Sequence, residues 1–274
     1  MTSSPFRAGV QGGPTRPEPF ANFGRYFTEP FGVYFTGKRW QDWLVPSLVS
    51  FAVLLGASIL CYLPALIVIG PVICGLHACG LCTLRGEHFD VHTLWRGWDV
   101  TWTAMGAFIA IQLVIMLPTL LAYAVPVGGF LYLMSLTAGF QAPVGGGPPD
   151  ADVAFVILGF VALMVVGAVC IIGAIAWSFW IGTRTMFVMP LIADREVDFS
   201  TAWRMSWEET RHGFWELLVI NFLAGIIGTL GMYALYVGII VSFPLYVMII
   251  DAAYEDRFAP TAEVFDEAPL PFEQ

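Results

Sequence analysis

Four stretches of this chain, Leu44–Leu84, Thr101–Phe140, Val153–Ile181 and Trp215–Ile250, contain no Lys or Arg. The twelve basic residues lie outside them: Arg7, Arg16, Arg25, Lys38 and Arg39, then Arg85 and Arg96, then Arg184, Arg195, Arg204 and Arg211, and finally Arg257. Apolar stretches of this length must satisfy their backbone internally in lipid, which selects helices. Short cytoplasmic loops are enriched in Lys and Arg. All twelve fit on one side of a membrane, so the pattern sets orientation as well as location.

A crossing helix needs about 20 apolar residues. Leu44–Leu84 therefore holds two spans, with Pro64 and Gly70–Pro71 as the place to turn. Val153–Ile181 is one span, and Trp215–Ile250 is two, with a tight turn near Gly228–Gly231. Two crossings in Thr101–Phe140 would leave only about 14 residues after Pro126, short for a span. They would also put the four-Arg segment 184–211 outside. One crossing to about Ala124, followed by a bent or interfacial segment over 127–140, keeps every basic residue inside. The Gly/Pro-rich link Gln141–Asp152 then lies outside. The expectation is an all-α polytopic transmembrane helix bundle of about six spans, with both termini cytoplasmic and interfacial amphipathic helices on the cytoplasmic side.

Composition agrees. The chain is 58% hydrophobic and 12% charged, with mean hydropathy +0.75, outside the usual range of a soluble domain. Its net charge of −9 excludes a basic face for nucleic acid. The first eighteen residues lack an apolar h-region, so no cleaved signal peptide is expected. Residues 1–19 read as a disordered lead and 255–274 as an acidic disordered tail, around a membrane domain at 44–254. Residues 20–43 carry a dense aromatic run, Phe20, Phe23, Tyr26, Phe27, Phe31, Tyr34, Phe35, Trp40 and Trp43, which suits the inner headgroup region.

Two loop segments echo one another. Asp90, Thr93, Trp95 and Arg96 match Asp198, Thr201, Trp203 and Arg204 in offset. Phe199, Trp203 and Trp207 recur every four residues and share a helical face. A parallel repeat relating spans two and three to spans four and five is one reading. A common way of starting an interfacial helix is the other.

Arg85–Gly86–Glu87 and Leu94–Trp95–Arg96–Gly97 resemble the first half of the YciC-like bacterial membrane proteins. Pro190–Asp194, Asp198–Ala202, Ser206–Trp207 and Thr210–Trp215 resemble the second half. The layout is similar to the membrane domain attached to some glycerophosphodiester phosphodiesterases. The resemblance implies a six-helix bundle of unassigned activity in the bacterial cytoplasmic (inner) membrane. It does not carry over phosphodiester hydrolysis, which resides in a soluble catalytic domain not found among these residues.

Little in the sequence carries chemistry. The polar residues within spans are His77, Gln112 and Asn221, with Asp251 near the inner end of the last span. The lack of midplane carboxylates speaks against a proton- or ion-coupled transporter. Cys74, His77, Cys79 and Cys82 spread too widely around one helix to share an ion. Their small side chains suit close helix packing, Gly75 with Cys79 or Ala78 with Cys82. A Cys79, Cys82, His88, His92 set has a loop that allows it to close on zinc, although the histidines equally fit an interface beside an Asp90-capped helix. Glu208, Glu209, Arg211 and His212 read as a solvated helix face, and no motif of an enzyme accompanies them. The expected function is non-enzymatic and without cofactor: organising lipid or a partner at the cytoplasmic leaflet through Trp95, Arg96, Trp203, Arg204, Trp207, Arg211 and His212. A passive path for a lipidic or small apolar solute is the alternative. Expected partners are membrane lipids and a protein partner or a second copy of the chain, not nucleic acid.

Overall fold

The computed structural model describes residues 23–36, 40–60, 62–138, 150–233 and 238–258. The lead 1–19, Lys38 and Arg39, the link 141–149 and the tail from 259 onward lie outside the described residues. The elements are α1 (Arg25–Phe31), continued by a π-helical turn Gly32–Thr36, then α2 (Trp40–Leu60), α3 (Tyr62–Leu84), α4 (Val91–Trp95) with a 3-10 turn Arg96–Trp98, α5 (Thr101–Ala138), α6 (Asp150–Thr185), α7 (Val188–Arg195), α8 (Phe199–Glu209), α9 (Phe214–Tyr233) and α10 (Ile239–Phe258). No strand occurs among the described residues. The protein is an all-α polytopic membrane bundle. Five windows, within α2, α3, α5, α6–α7 and α9, are long and apolar enough to cross. The sixth long helix, α10, carries Asp251, Glu255, Asp256 and Arg257 in its second half.

Several boundaries differ from the sequence expectation. α2 ends at Leu60 and α3 begins at Tyr62, and Pro71 sits inside α3. Pro64 falls in the first turn of α3, where a missing N–H costs nothing. α6 begins at Asp150 and α2 at Trp40, so both absorb residues assigned to flanking segments. Glu255–Phe258 likewise continue α10 instead of opening a disordered tail.

The largest correction concerns 127–138, expected to be bent or interfacial. It simply extends α5, a 38-residue helix of about 57 Å at 1.5 Å per residue. The expected single crossing agrees with one apolar window over Thr101–Ser135, and the helix runs on unbroken because α6 supports α5 along much of its course. Gly129 approaches Leu163, Gly159 approaches Leu133, and Gly167 approaches Pro126. Pro118 cannot donate to the carbonyl of Val114, four residues earlier. The indole Nε1 of Trp177 on α6 donates to that carbonyl instead, at 3.0 Å. A backbone group with no access to water is thereby satisfied.

α3 is the central post. Its glycines Gly70, Gly75 and Gly80 each admit a neighbour that a β-carbon would exclude. A Cβ on Gly70 would lie 2.6 Å from the Ala104 carbonyl oxygen of α5, and one on Gly75 would lie 2.0 Å from that of Leu94 in α4. One on Gly80 would strike the Asp251 carboxylate of α10. α4 and its 3-10 turn thus fold back along α3, and Gly97 closes the contact, its Cβ position 2.1 Å from the Pro71 oxygen. Close packing at small residues of α3 is present as expected, and at Gly75 the partner is Leu94.

The last turn of α10 ties the basic end together. Tyr254 donates to Asp194 at 2.8 Å. Glu255 accepts from Arg85 at 2.8 Å, and Asp256 accepts from Tyr26 at 2.7 Å. Arg257 donates to Glu216 at 3.1 Å and to the His212 carbonyl at 2.8 Å, and the Phe258 carbonyl accepts from Arg195 at 2.7 Å. The aromatic segment 20–43 therefore does more than lie on a surface. Tyr26, Tyr34 and Trp43 are buried in the bundle, while Phe35 and Trp40 remain exposed. Burial and the bond to Asp256 push the Tyr26 phenol above its ordinary value.

Gly97→Ala places a methyl group against backbone that cannot yield without moving the helix. Overpacking of this kind costs roughly 1–3 kcal/mol or more. Gly106, with open space at its Cβ position, is the control, since Ala gains helix propensity there. Thermal unfolding in detergent should show a clear loss for Gly97→Ala and none for Gly106→Ala. Equal stability of the two would refute the close contact.

Candidate functional site

Two polar systems stand out: one at the basic surface and one inside the bundle. At the surface, Asp90 caps α4 by accepting from His92 N at 2.9 Å and Thr93 N at 3.3 Å. Asp198 caps α8 by accepting from Thr201 N at 3.1 Å. Hydrogen bonds from Ser200 and Thr201 hold the Asp198 carboxyl down at about 2. The echo seen in the sequence is thus a shared helix start. Beyond it the segments diverge, α4 having 5 residues and α8 having 11.

The expected interface residues form two groups. Trp203 and Trp207 stack at 6.0 Å, extended by Phe199 at 5.6 Å on one side and Trp180 at 5.5 Å on the other. Arg184, not anticipated, sits in this aromatic wall, 5.3 Å from the Trp207 ring centroid and 4.9 Å from that of Phe214. Trp95 packs beside Trp98 at 5.8 Å, and Arg96 reaches Glu196 at 3.9 Å. Arg204, Arg211 and His212 are exposed. His212 contributes its carbonyl to Arg257, and its imidazole stays at the surface beside Glu208, Glu209 and Arg211.

The proposed zinc set does not assemble. Cys79 is fully buried against Leu76, Leu94 and Val247, while His88 and His92 are exposed. Among the described residues no three His, Cys, Asp or Glu side chains gather as a metal group. α4 folds back with its apolar side toward α3, which turns His92 outward.

The interior site unites the polar residues that the sequence left scattered. A cavity of about 490 Å³ lies between α3, α5, α6, α7, α9 and α10, with His77, Gln112, Asn221, Thr185, Thr229 and Tyr246 as its polar lining. The remaining wall is apolar, including Phe108, Ile111, Met189 and Phe243. Its size falls within the roughly 300–1,000 Å³ range of small-molecule sites. Asn221 donates to Thr183 Oγ1 at 3.4 Å. Thr185 and Thr229 spend their hydroxyls on carbonyls one turn earlier.

His77 links the cavity to a buried carboxylate. Its Nδ1 lies 2.6 Å from Asp251 Oδ1, and neither side chain meets solvent appreciably. The second carboxylate oxygen, Oδ2, is buried without a hydrogen-bond partner, in the space that Gly80 leaves open. Asp251, expected near the inner end of the last span, is fully buried within the bundle; its pairing with His77 was not foreseen. The pair escaped detection because 174 residues separate its members. The deep polar residues themselves were the available signal.

The family model describing the membrane domain of glycerophosphoryl diester phosphodiesterase matches residues 154–255. This stretch is similar to that membrane domain. The match covers nearly all of α6 and extends into the last turn of α10, so it includes Asp251 and Asn221 but not His77 or Gln112. No curated protein and no solved structure matches the chain.

Removing either member of the buried pair strands the other. Breaking a buried pair costs about 3–5 kcal/mol, so His77→Ala and Asp251→Ala should each lower thermal stability strongly. The double variant should lose clearly less than the sum of the singles. Strictly additive losses would show that the two groups do not act together.

Proposed function

We propose that this multi-pass membrane protein is a non-enzymatic lipid-handling protein that draws one amphipathic molecule from the bilayer into its central cavity. The cavity carries the reading. It has an apolar wall for a hydrocarbon chain and one polar patch, at His77, Gln112 and Asn221, for a head. Such a division fixes both position and orientation of a ligand. No Asp, Glu, Lys or Arg lines it among the described residues, which supports binding of an uncharged molecule. We place the protein in the bacterial cytoplasmic membrane with both termini inside, following the distribution of Lys and Arg.

A second reading, organisation of lipid or a protein partner at the cytoplasmic leaflet, is favoured by the girdle around the basic end. Trp95, Trp98, Trp102 and Trp215 are exposed there or nearby, as are Arg96, Arg204 and Arg211. Indole rings favour the headgroup level, and juxtamembrane basic residues attract anionic lipid. The girdle is compatible with the cavity reading, since a protein that exchanges lipid must sit at a fixed depth.

Gly225 lines the cavity and has open space at its Cβ position. Gly225→Leu should fill the space without straining the fold. In native mass spectra from mild detergent, the wild-type protein should retain a lipid-like mass that the variant lacks. Equal retention by both would place the bound molecule elsewhere and defeat the reading.

A further inference from the structure

The charge states available to the buried pair restrict what the cavity accepts, an inference that rests on the ligand-binding reading above. Asp251 is fully buried, Oδ2 has no donor, and its one polar contact is His77. A carboxylate so placed is costly unless a proton on the pair neutralises it. Among the described residues the cavity side supplies no Lys or Arg: α5 and α9 bring Gln112 and Asn221, α7 brings Met189, and α10 itself brings Tyr246. Arg85, the basic residue at the same end of α3, is engaged by Asp194 and Glu255.

Two net-neutral arrangements exist. Either His77 is an imidazolium beside a carboxylate, or a protonated Asp251 donates to Nδ1 of a neutral ring. In both, Nε2 carries a hydrogen. The ring forms part of the cavity wall, so the pair presents one N–H donor on a site of zero net charge. Gln112 lines the same cavity, and among the described residues no hydrogen bond occupies its amide.

We propose that the cavity selects an uncharged lipid whose head is a hydroxyl or carbonyl oxygen, accepting from His77 Nε2 and bonded by the Gln112 amide. A phosphate-bearing lipid would bring a negative charge to a site with no Lys or Arg in its lining, and the desolvation would go uncompensated. An ammonium head would meet an N–H donor at His77, and no Asp or Glu in the lining would neutralise its charge.

Three probes sharing one chain separate the possibilities: oleyl alcohol, oleyl phosphate and oleylamine, titrated into detergent-solubilised full-length protein and followed by native mass spectrometry. The alcohol should bind at least tenfold more tightly than the two charged probes. Gln112→Leu should weaken the alcohol about tenfold, the loss expected when a buried hydrogen bond is removed, with unchanged thermal stability. Tighter binding of the phosphate or the amine in the wild-type protein, or indifference of the alcohol to Gln112→Leu, would overturn the head-group assignment and leave the cavity standing. Binding of all three that Gly225→Leu does not reduce would remove both.

Discussion

Three glycines set the architecture. Gly70, Gly75 and Gly80 are five residues apart on α3, and at 100° per residue each step turns about 140° around the helix. The three therefore face three directions. One meets the backbone of α5, one the backbone of α4, and one the carboxylate of α10. In lipid no hydrophobic force draws one apolar helix to another, so close approach and polar contacts must supply the association. A glycine spiral on a single helix lets three partners approach at once. The position of Asp251 follows from the third glycine, because any side chain at position 80 would occupy the space of the carboxylate.

The basic end is organised on another principle. There water competes for every charge, and an isolated exposed pair contributes little. The last turn of α10 instead spends successive side chains on different elements, on α7, α3, α1 and α9 in turn. Arg257 and Glu216 are both largely withdrawn from solvent, where removing one partner costs far more than at a surface. Gly213, with φ at +78°, provides the turn that brings the His212 carbonyl to Arg257, and its lack of a side chain leaves room for the guanidinium. This turn joins α8 to α9, so the aromatic wall of α8 is fixed to the same hub.

The features legible in the sequence were those with local causes. Periods without Lys or Arg mark the long helices, Asp90 and Asp198 announce helix starts, and the spacing of Phe199, Trp203 and Trp207 gives one aromatic face. What escaped depends on tertiary partners. A continuous α5 past Pro126 requires α6 beside it, and the carbonyl opposite Pro118 requires Trp177, 63 residues away. Tyr26 and Trp43 look interfacial by composition, yet Tyr26 finds Asp256 and Trp43 donates to Thr83 at 3.1 Å. His77, Gln112, Asn221 and Asp251 were recognisable as unusual, but their positions on four helices do not state that the first three line one space and the fourth backs His77.

A bundle of this kind gains no obvious stability from His77 and Asp251. Well-packed apolar residues of similar volume are often as good as a buried pair, or better, and the unpaired Oδ2 makes the present arrangement worse than a fully satisfied one. The charges at the basic end have a structural rationale, since each links elements. The interior pair also links α3 to α10, but Leu76 and Cys79 of α3 already share one buried apolar cluster with Val247 and Met248 of α10. Its distinguishing property is that one side is sealed in protein while the other borders the cavity. A donor held in fixed orientation by a buried acceptor is preorganised, and preorganisation lowers the ordering cost of binding. That geometry suits recognition of a polar atom at the end of a hydrocarbon chain better than it suits holding two helices together.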